Sequence, residues 1–212
     1  MPKIVNREKM REAILEAFLN ALLKYGFHNT SMIKIAQEAK IAKGTLYLYF
    51  DSKESLIEAI TDQHFNKVKE RLIVEKTFKN LDNLLNHIEK SLLIDEEESA
   101  FIPIFFEAFG PSFSSPKFLQ KYQSFFDEIG KFYAKNLQEL VDNGLIEKDI
   151  NANALGRVLV SMLDGIVLHK GFFNLSIDSY DEMIKETIGL FRRGLLTKKL
   201  LMIRNGCKCN IV

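Results

Sequence analysis

The sequence predicts an all-α protein of about nine helices, three at the N-terminus and the rest forming a larger bundle. Three observations carry that expectation. Apolar residues recur with the helical period along most of the chain, and strand signals are weak throughout. The four prolines are Pro2, Pro103, Pro111 and Pro116, so three share one stretch and the remainder is free to be helical. With 212 residues, 47% of them hydrophobic, the chain can bury a substantial core and is not a disordered tail.

The elements follow in order. Ala13, Ile14, Ala17, Phe18, Ala21, Leu22 and Tyr25 form one apolar stripe of an amphipathic helix that Gly26 ends as a left-handed cap. A short helix is expected over 32–39, capped by Thr30 or Ser31, and a second over 43–49. Asp51 with Glu54 reads as a capping box for a long helix reaching residue 73. Further helices fit 81–93, 99–109 and 117–143, the last opened by Ser115 and Pro116 and stopped by Gly144. Residues 95–98 read as a solvated acidic turn. The final two helices are expected over 152–170, ended by Gly171, and 180–202, opened by Ser179 with Glu182.

Charge is unevenly placed. Residues 1–53 hold nine Lys/Arg against five Asp/Glu, a charge of +4, whereas the rest holds 20 against 23 and is −3. A basic segment alone is often just a solvated face, so it needs a motif to mean nucleic acid. Residues 1–14 mix charges and have no long apolar region, which argues against a signal peptide. Hydrophobic runs such as 101–110 are too short to cross a bilayer, and a cytoplasmic protein is expected. Cys207 and Cys209, in the basic tail 204–212, have no His or acidic cluster around them, so no metal site and no cofactor are expected.

The motif lies between Gly26 and Leu56. Ile33, Ala36 and Ile41 are expected to face the first helix, with Leu46 and Phe50, at i, i+4 spacing, anchoring the second short helix to the same core. This is the logic of a helix-turn-helix. The outward face then offers DNA a cation, a bare backbone, a hydroxyl and two phenols at Lys43, Gly44, Thr45, Tyr47 and Tyr49. A core would not require Lys-Gly-Thr beside those aromatics.

The Thr-Ser-Met-x-x-Ile-Ala entry, the Ala-Lys-Gly-Thr-Leu-Tyr-x-Tyr-Phe segment and the Ser-Lys-Glu-x-Leu that follows resemble the TetR family of repressors from Ile14 to Leu56. The resemblance implies DNA contacts by Lys43, Gly44, Thr45, Tyr47 and Tyr49, and bracing of phosphates by Thr30, Ser31 and Lys53 at helix N-termini. Lys34 and Ala42 complete the candidate DNA set, and Leu48 is read as a thymine-methyl contact. One departure is visible at Lys40, where many members have glycine. A left-handed lysine costs on the order of 1 kcal/mol.

Residues 1–55 are thus expected to form the DNA-binding domain, 56–203 an effector-binding and dimerisation domain, and 204–212 a tail. Nine of the 17 phenylalanines fall between 101 and 132, which fits either a phenylalanine-rich core or an apolar ligand cavity. Candidate pocket residues are Phe101, Phe105, Phe106, Phe109, Phe125 and Phe126, with Asp164 and His169 as buried polar groups or effector contacts. In the last two helices, Leu155, Leu159, Met162, Leu163 and Ile166 form one stripe and Ile184, Ile188, Phe191 and Leu195 another, with Gly165, Gly189 and Gly194 allowing close approach. Such stripes pack within one chain or against a second. The resemblance implies the second case, a homodimer built on a four-helix bundle.

The function expected is a ligand-responsive repressor that binds a palindromic operator in double-stranded DNA as a dimer and is released by a small hydrophobic effector. Two other classes compete with this reading. A di-metal carboxylate enzyme needs Glu three residues before an inward His, and none of His28, His64, His87 or His169 has it; there is also no phosphate loop or nucleophile elbow. A helical protein-interaction module without DNA binding is the remaining alternative.

Overall fold

The computed structural model describes residues 7–73 and 77–196, apart from the side chain of Glu97. Nine α-helices occur among them: α1 (Arg7–Tyr25), α2 (Met32–Glu38), α3 (Lys43–Tyr47), α4 (Lys53–Leu72), α5 (Leu81–Leu92), α6 (Glu96–Phe109), α7 (Pro116–Asp142), α8 (Ala152–Phe173) and α9 (Ile177–Leu195). A 3-10 helix, Gly110–Ser114, links α6 to α7. No strand and no group of three or more metal-ligating side chains occurs among the described residues, and no helix there is long and apolar enough to cross a membrane. Cys207, Cys209 and the expected helix end at residue 202 lie outside the described residues.

Caps explain most boundaries. Gly26 ends α1 at φ +71 and Gly144 follows α7 at φ +67, both in the left-handed region that glycine enters without a Cβ clash. Ser31 caps α2 by accepting the Lys34 N–H. Four starts and stops differ from expectation. The box opening α4 is Ser52 with Ser55, each hydroxyl accepting the other's backbone N–H at 3.1 and 3.3 Å, rather than Asp51 with Glu54. Residues 95–98 are not a solvated turn, because Asp95 accepts the Glu98 N–H at 2.7 Å and starts α6. Helix α8 runs through Gly171 to Phe173 and ends at left-handed Asn174, φ 47. Ser176 caps α9 by accepting the Ser179 N–H, so Ser179 already belongs to the first turn.

The helices gather into two compact units. One holds the described residues up to Val68 together with Ala100–Leu119. Its core contains Ile14, Phe18, Leu22, Ile35, Leu46, Leu56 and Phe109, all fully buried. Phe105 stacks on Phe109 with centroids 4.1 Å apart, and His64 of α4 lies 5.4 Å from the Phe105 ring. The other unit holds Lys69–Ser99 and the described residues from Gln120 onward. There Leu84, Leu85, Ile88 and Leu92 of α5 are buried, as are Tyr133, Leu137, Leu159 and Ile184. The Tyr180 hydroxyl donates to the Leu92 carbonyl at 2.7 Å, tying α9 to the end of α5.

The close helix approach in this second unit falls at Gly156. A Cβ there would stand 2.5 Å from the Gly130 carbonyl oxygen and 2.8 Å from the Ala134 nitrogen, so α7 and α8 meet backbone to backbone. The glycines singled out from the sequence do not play that part within the chain. Gly165 and Gly194 have nothing within 4 Å of a Cβ, and Gly189 meets only the Arg193 side chain.

Candidate nucleic-acid interface

Helix α3 is only five residues long and cannot persist by hydrogen bonding alone. Packing holds it. Leu46 is fully buried and Phe50 is 3% exposed, each contributing roughly 1.5–3 kcal/mol of burial to the fold of this segment. Arg11 of α1 adds a polar clamp: its guanidinium donates to the Tyr49 carbonyl at 3.1 Å and lies 4.4 Å from the Phe50 ring centre. Sequence reasoning missed Arg11. Its position one turn before the buried Ile14 and Leu15 is the signal that it borders the core.

The opposite face of α3 is open. Ala42, Lys43 and Gly44 are exposed, Tyr47 is 44% exposed and Leu48 75%, with Thr45 and Tyr49 half-buried. The Lys43 ammonium lies 5.6 Å from the Tyr47 ring centre, one turn along the helix. A shallow groove beside this face is lined in part by Tyr47, Leu48, Asp51, Glu58 and Asp62. Arg11 lines it as well, and Glu58 is paired with Lys117 at 2.6 Å, so this wall carries charges of both signs.

Around α2 the structure redistributes the expected roles. The turn before α3 keeps its left-handed residue, Lys40, at φ 54. Ile33 is 52% exposed, and Ile35, fully buried, takes the place facing the core because it lies on α2's inner side with Ala36. Thr30 is 3% exposed, and its hydroxyl sits 2.8 Å from the Gly26 carbonyl and 3.0 Å from that of Ala21. That hydroxyl closes the α1–α2 turn and cannot reach a phosphate, which corrects its assignment. Ser31 is exposed at the N-cap of α2. Lys34 donates to the Asn29 carbonyl at 2.9 Å and lies 4.4 Å from the Tyr25 ring centre.

Lys53 also turns inward. Its ammonium donates to the carbonyls of Phe27 at 2.9 Å and Thr30 at 3.2 Å and lies 3.8 Å from the Phe27 ring centre. Burial lowers its pKa, with Glu54 and Glu107 acting the other way. Lys53 thus pins the start of α4 to the turn before α2 and keeps one N–H for an outside acceptor.

The residues proposed from the sequence for a ligand pocket do not fall in one unit. Phe101, Phe105, Phe106 and Phe109 belong to the first, where Phe105 and Phe109 are core; Phe125, Phe126, Asp164 and His169 belong to the second. Phe125 and Phe126 pack edge to face at 5.1 Å, and Tyr122 lies 4.7 Å from Phe126. Burial, and then the charge of Asp164, push the Tyr122 hydroxyl up to about 12. Burial raises the Asp164 carboxyl above its usual range. His169 is exposed, 4.8 Å from the Phe173 ring.

The expected dimer stripes need the same correction as Thr30. Leu159, Leu163, Ile166, Ile184, Ile188, Phe191 and Leu195 are buried within the chain itself, and Leu155 and Met162 are half-buried. Their apolar surface is used to pack α8 and α9 inside the second unit. The apolar side chains left outside on these helices are Val158, Phe172, Phe173, Ile177 and Leu190.

Comparison with known proteins agrees with the geometry of α1 to α4. Residues 14–60 match the family model described as bacterial regulatory proteins, tetR family. The HTH-type transcriptional regulator YvdT of Bacillus subtilis is 24% identical over 184 residues, covering 85% of this chain and 91% of that one. A TetR transcription regulator from Haloarcula marismortui superposes with a TM-score of 0.73 at 18% identity, over 90% of this chain and all of the other. A transcriptional regulator from Saccharomonospora viridis, solved in complex with choline, gives a TM-score of 0.72 at 17% identity over the same shares. With buried Leu46 and Phe50 presenting the outer face of α3, residues 14–60 form a segment that matches the tetR family model, and along most of its length the chain is similar to HTH-type transcriptional regulators.

Proposed function

We propose that the protein is a repressor that acts in the cytoplasm, binds a palindromic operator as a homodimer and leaves it when a small molecule binds its second unit. The observation that carries this reading is the pairing of an anchored inner face of α3, Leu46 and Phe50, with an outer face that exposes Ala42, Lys43, Gly44, Tyr47 and Leu48. Those outer residues, with Thr45 and Tyr49, are assigned to base edges, and Ser31, Lys34 and the free N–H of Lys53 to phosphates.

One α3 helix touches few base pairs. A two-fold dimer places two such helices about 34–36 Å apart in successive major grooves, which makes the operator a palindrome. The surface that supports dimerisation is the outer side of α8 and α9, where Val158 and Leu190 are exposed and Gly165 has open space above it. Release needs a ligand that binds more tightly to a conformer whose recognition helices are wrongly spaced. That a fold neighbour was solved in complex with choline supports a small-molecule effector.

The test is selection of bound fragments from a random DNA pool by the purified chain, followed by gel shift at several salt concentrations. A palindromic consensus, bound with a steep loss of affinity as salt rises, is expected. Retention of no fragment above background would sink the reading and favour a protein-interaction module.

A further inference from the structure

Glu107, near the end of α6, is held against the α1–α2 turn inside the first unit. Its backbone is fixed by its neighbours. Ala108 and Phe109 are sealed in the core, and Phe105, two residues earlier, stacks on Phe109 with centroids 4.1 Å apart. Glu107 itself points outward, and its Oε1 lies 3.8 Å from Nε2 of His28. The imidazole is 82% exposed, so the carboxylate reaches over the open side of the turn from a rigid base.

Lys53 of α4 meets the same turn. Its ammonium donates to the carbonyls of Phe27 and Thr30 and lies 3.8 Å from the Phe27 ring centre, and the His28 ring meets that ring edge to face at 5.6 Å. Phe27 thus carries Lys53 on one contact and His28 on another, with Glu107 beyond the histidine. The Glu107 charge also acts on Lys53, after that of Glu54, in favour of the ammonium form.

An exposed pair of this kind contributes little to folding. Its place is what gives it an effect. Ser31, Lys34 and the free N–H of Lys53, assigned above to phosphates, border the same turn, and a charge there is felt over a Debye length of about 8 Å at physiological salt. We propose that in the free protein Glu107 takes the electrostatic place of an operator phosphate at the α1–α2 turn, an autoinhibitory contact that DNA has to displace. The inference rests on the DNA-binding reading above and deepens it. Glu107 lowers affinity for every sequence alike, because the carboxylate opposes phosphates and leaves base readout by α3 as it is.

The test is gel shift of the full chain and of Glu107→Gln, which keeps the side chain's size and removes its charge. Both the selected duplex and a scrambled duplex of equal length are used, over a salt series in mildly acidic buffer, where imidazoles carry charge. Glu107→Gln is expected to bind both duplexes roughly two- to fivefold more tightly at low salt, with the ratio between them unchanged. Its salt dependence should steepen by up to about one phosphate contact. His28→Gln, at an exposed position, should take away most of that gain when combined with Glu107→Gln, because the cation that the carboxylate offsets is gone. A gain that survives there in full marks a general field and overturns the contact. Glu107→Asp, which draws the charge back by one methylene, should give a smaller gain and serves if the Gln variant fails to fold. Equal affinity of the parent and the Glu107 variants overturns the autoinhibitory contact and leaves the repressor reading standing; retention of DNA by none of them overturns both.

Discussion

The Arg11 guanidinium of α1 donates to the Tyr49 carbonyl, just past α3, and shields the Phe50 ring at 4.4 Å. One side chain thus fixes the tilt of the recognition helix against α1 from its C-terminal end. Arg11→Ala is expected to lower stability by about 1–2 kcal/mol, from a lost charged hydrogen bond and cation–π contact. Operator affinity should fall severalfold although Arg11 is not assigned to DNA. Urea denaturation and gel shift check both, and a variant matching the parent in each would remove the clamp.

Leu46 and Tyr47 are chain neighbours with opposite fates, one sealed and the other 44% exposed. Leu46→Ala should cost about 2–5 kcal/mol by leaving a cavity. Tyr47→Ala should change stability by no more than about 0.5 kcal/mol yet reduce operator binding at least tenfold. Tight binding by the Tyr47 variant would count against the contact assignment.

Thr30→Val keeps the shape of the side chain and removes the hydroxyl that serves the Ala21 and Gly26 carbonyls. A loss of about 1–3 kcal/mol in stability is expected, with the salt dependence of DNA binding unaltered. A slope reduced by one phosphate contact would restore Thr30 to the DNA interface.

Lys40 holds φ 54 in the turn before α3. Lys40→Gly removes the Cβ clash of the left-handed region and should stabilise the chain by about 1 kcal/mol. A lower thermal midpoint in the variant would mean that the lysine side chain contributes more than its backbone strain removes.

Burial raises the Asp164 carboxyl, so the folded chain holds this proton at pH values where the unfolded chain has released it. The Asp164 contribution to stability is therefore present in acid and is lost as pH rises from the ordinary carboxylate range through the raised value. Asp164→Asn should be more stable than the parent at neutral pH, with the advantage shrinking in mild acid. Denaturation midpoints at several pH values report it, and an advantage that grows in acid would contradict the burial of the charge.

Much of this molecule is readable from residue spacing. The i, i+4 pair Leu46 and Phe50, the cap at Gly26 and the stop at Gly144 depend on local geometry, and each does in the structure what its residue type dictates. Local chemistry also sets the limits of that reading. Ser52, Ser55, Asp95 and Ser176 outcompeted neighbours of similar capping strength, a choice decided by which hydroxyl or carboxylate met an open N–H.

What periodicity cannot convey is the identity of the surface an apolar face meets. The stripe through Leu159, Leu163 and Ile166 is the same in sequence whether it packs on its own chain or on another, and only the tertiary structure turned it inward. The same holds for polar side chains. Thr30, Lys53 and Arg11 were donors of unknown address until folding brought carbonyls from other turns to within about 3 Å of each. By itself the sequence determined the helices, the order in which they come and the exposed chemistry of α3, because those depend on neighbours along the chain. The partial burial of Asp164 within α8 was decided by packing across the chain, which no local pattern records.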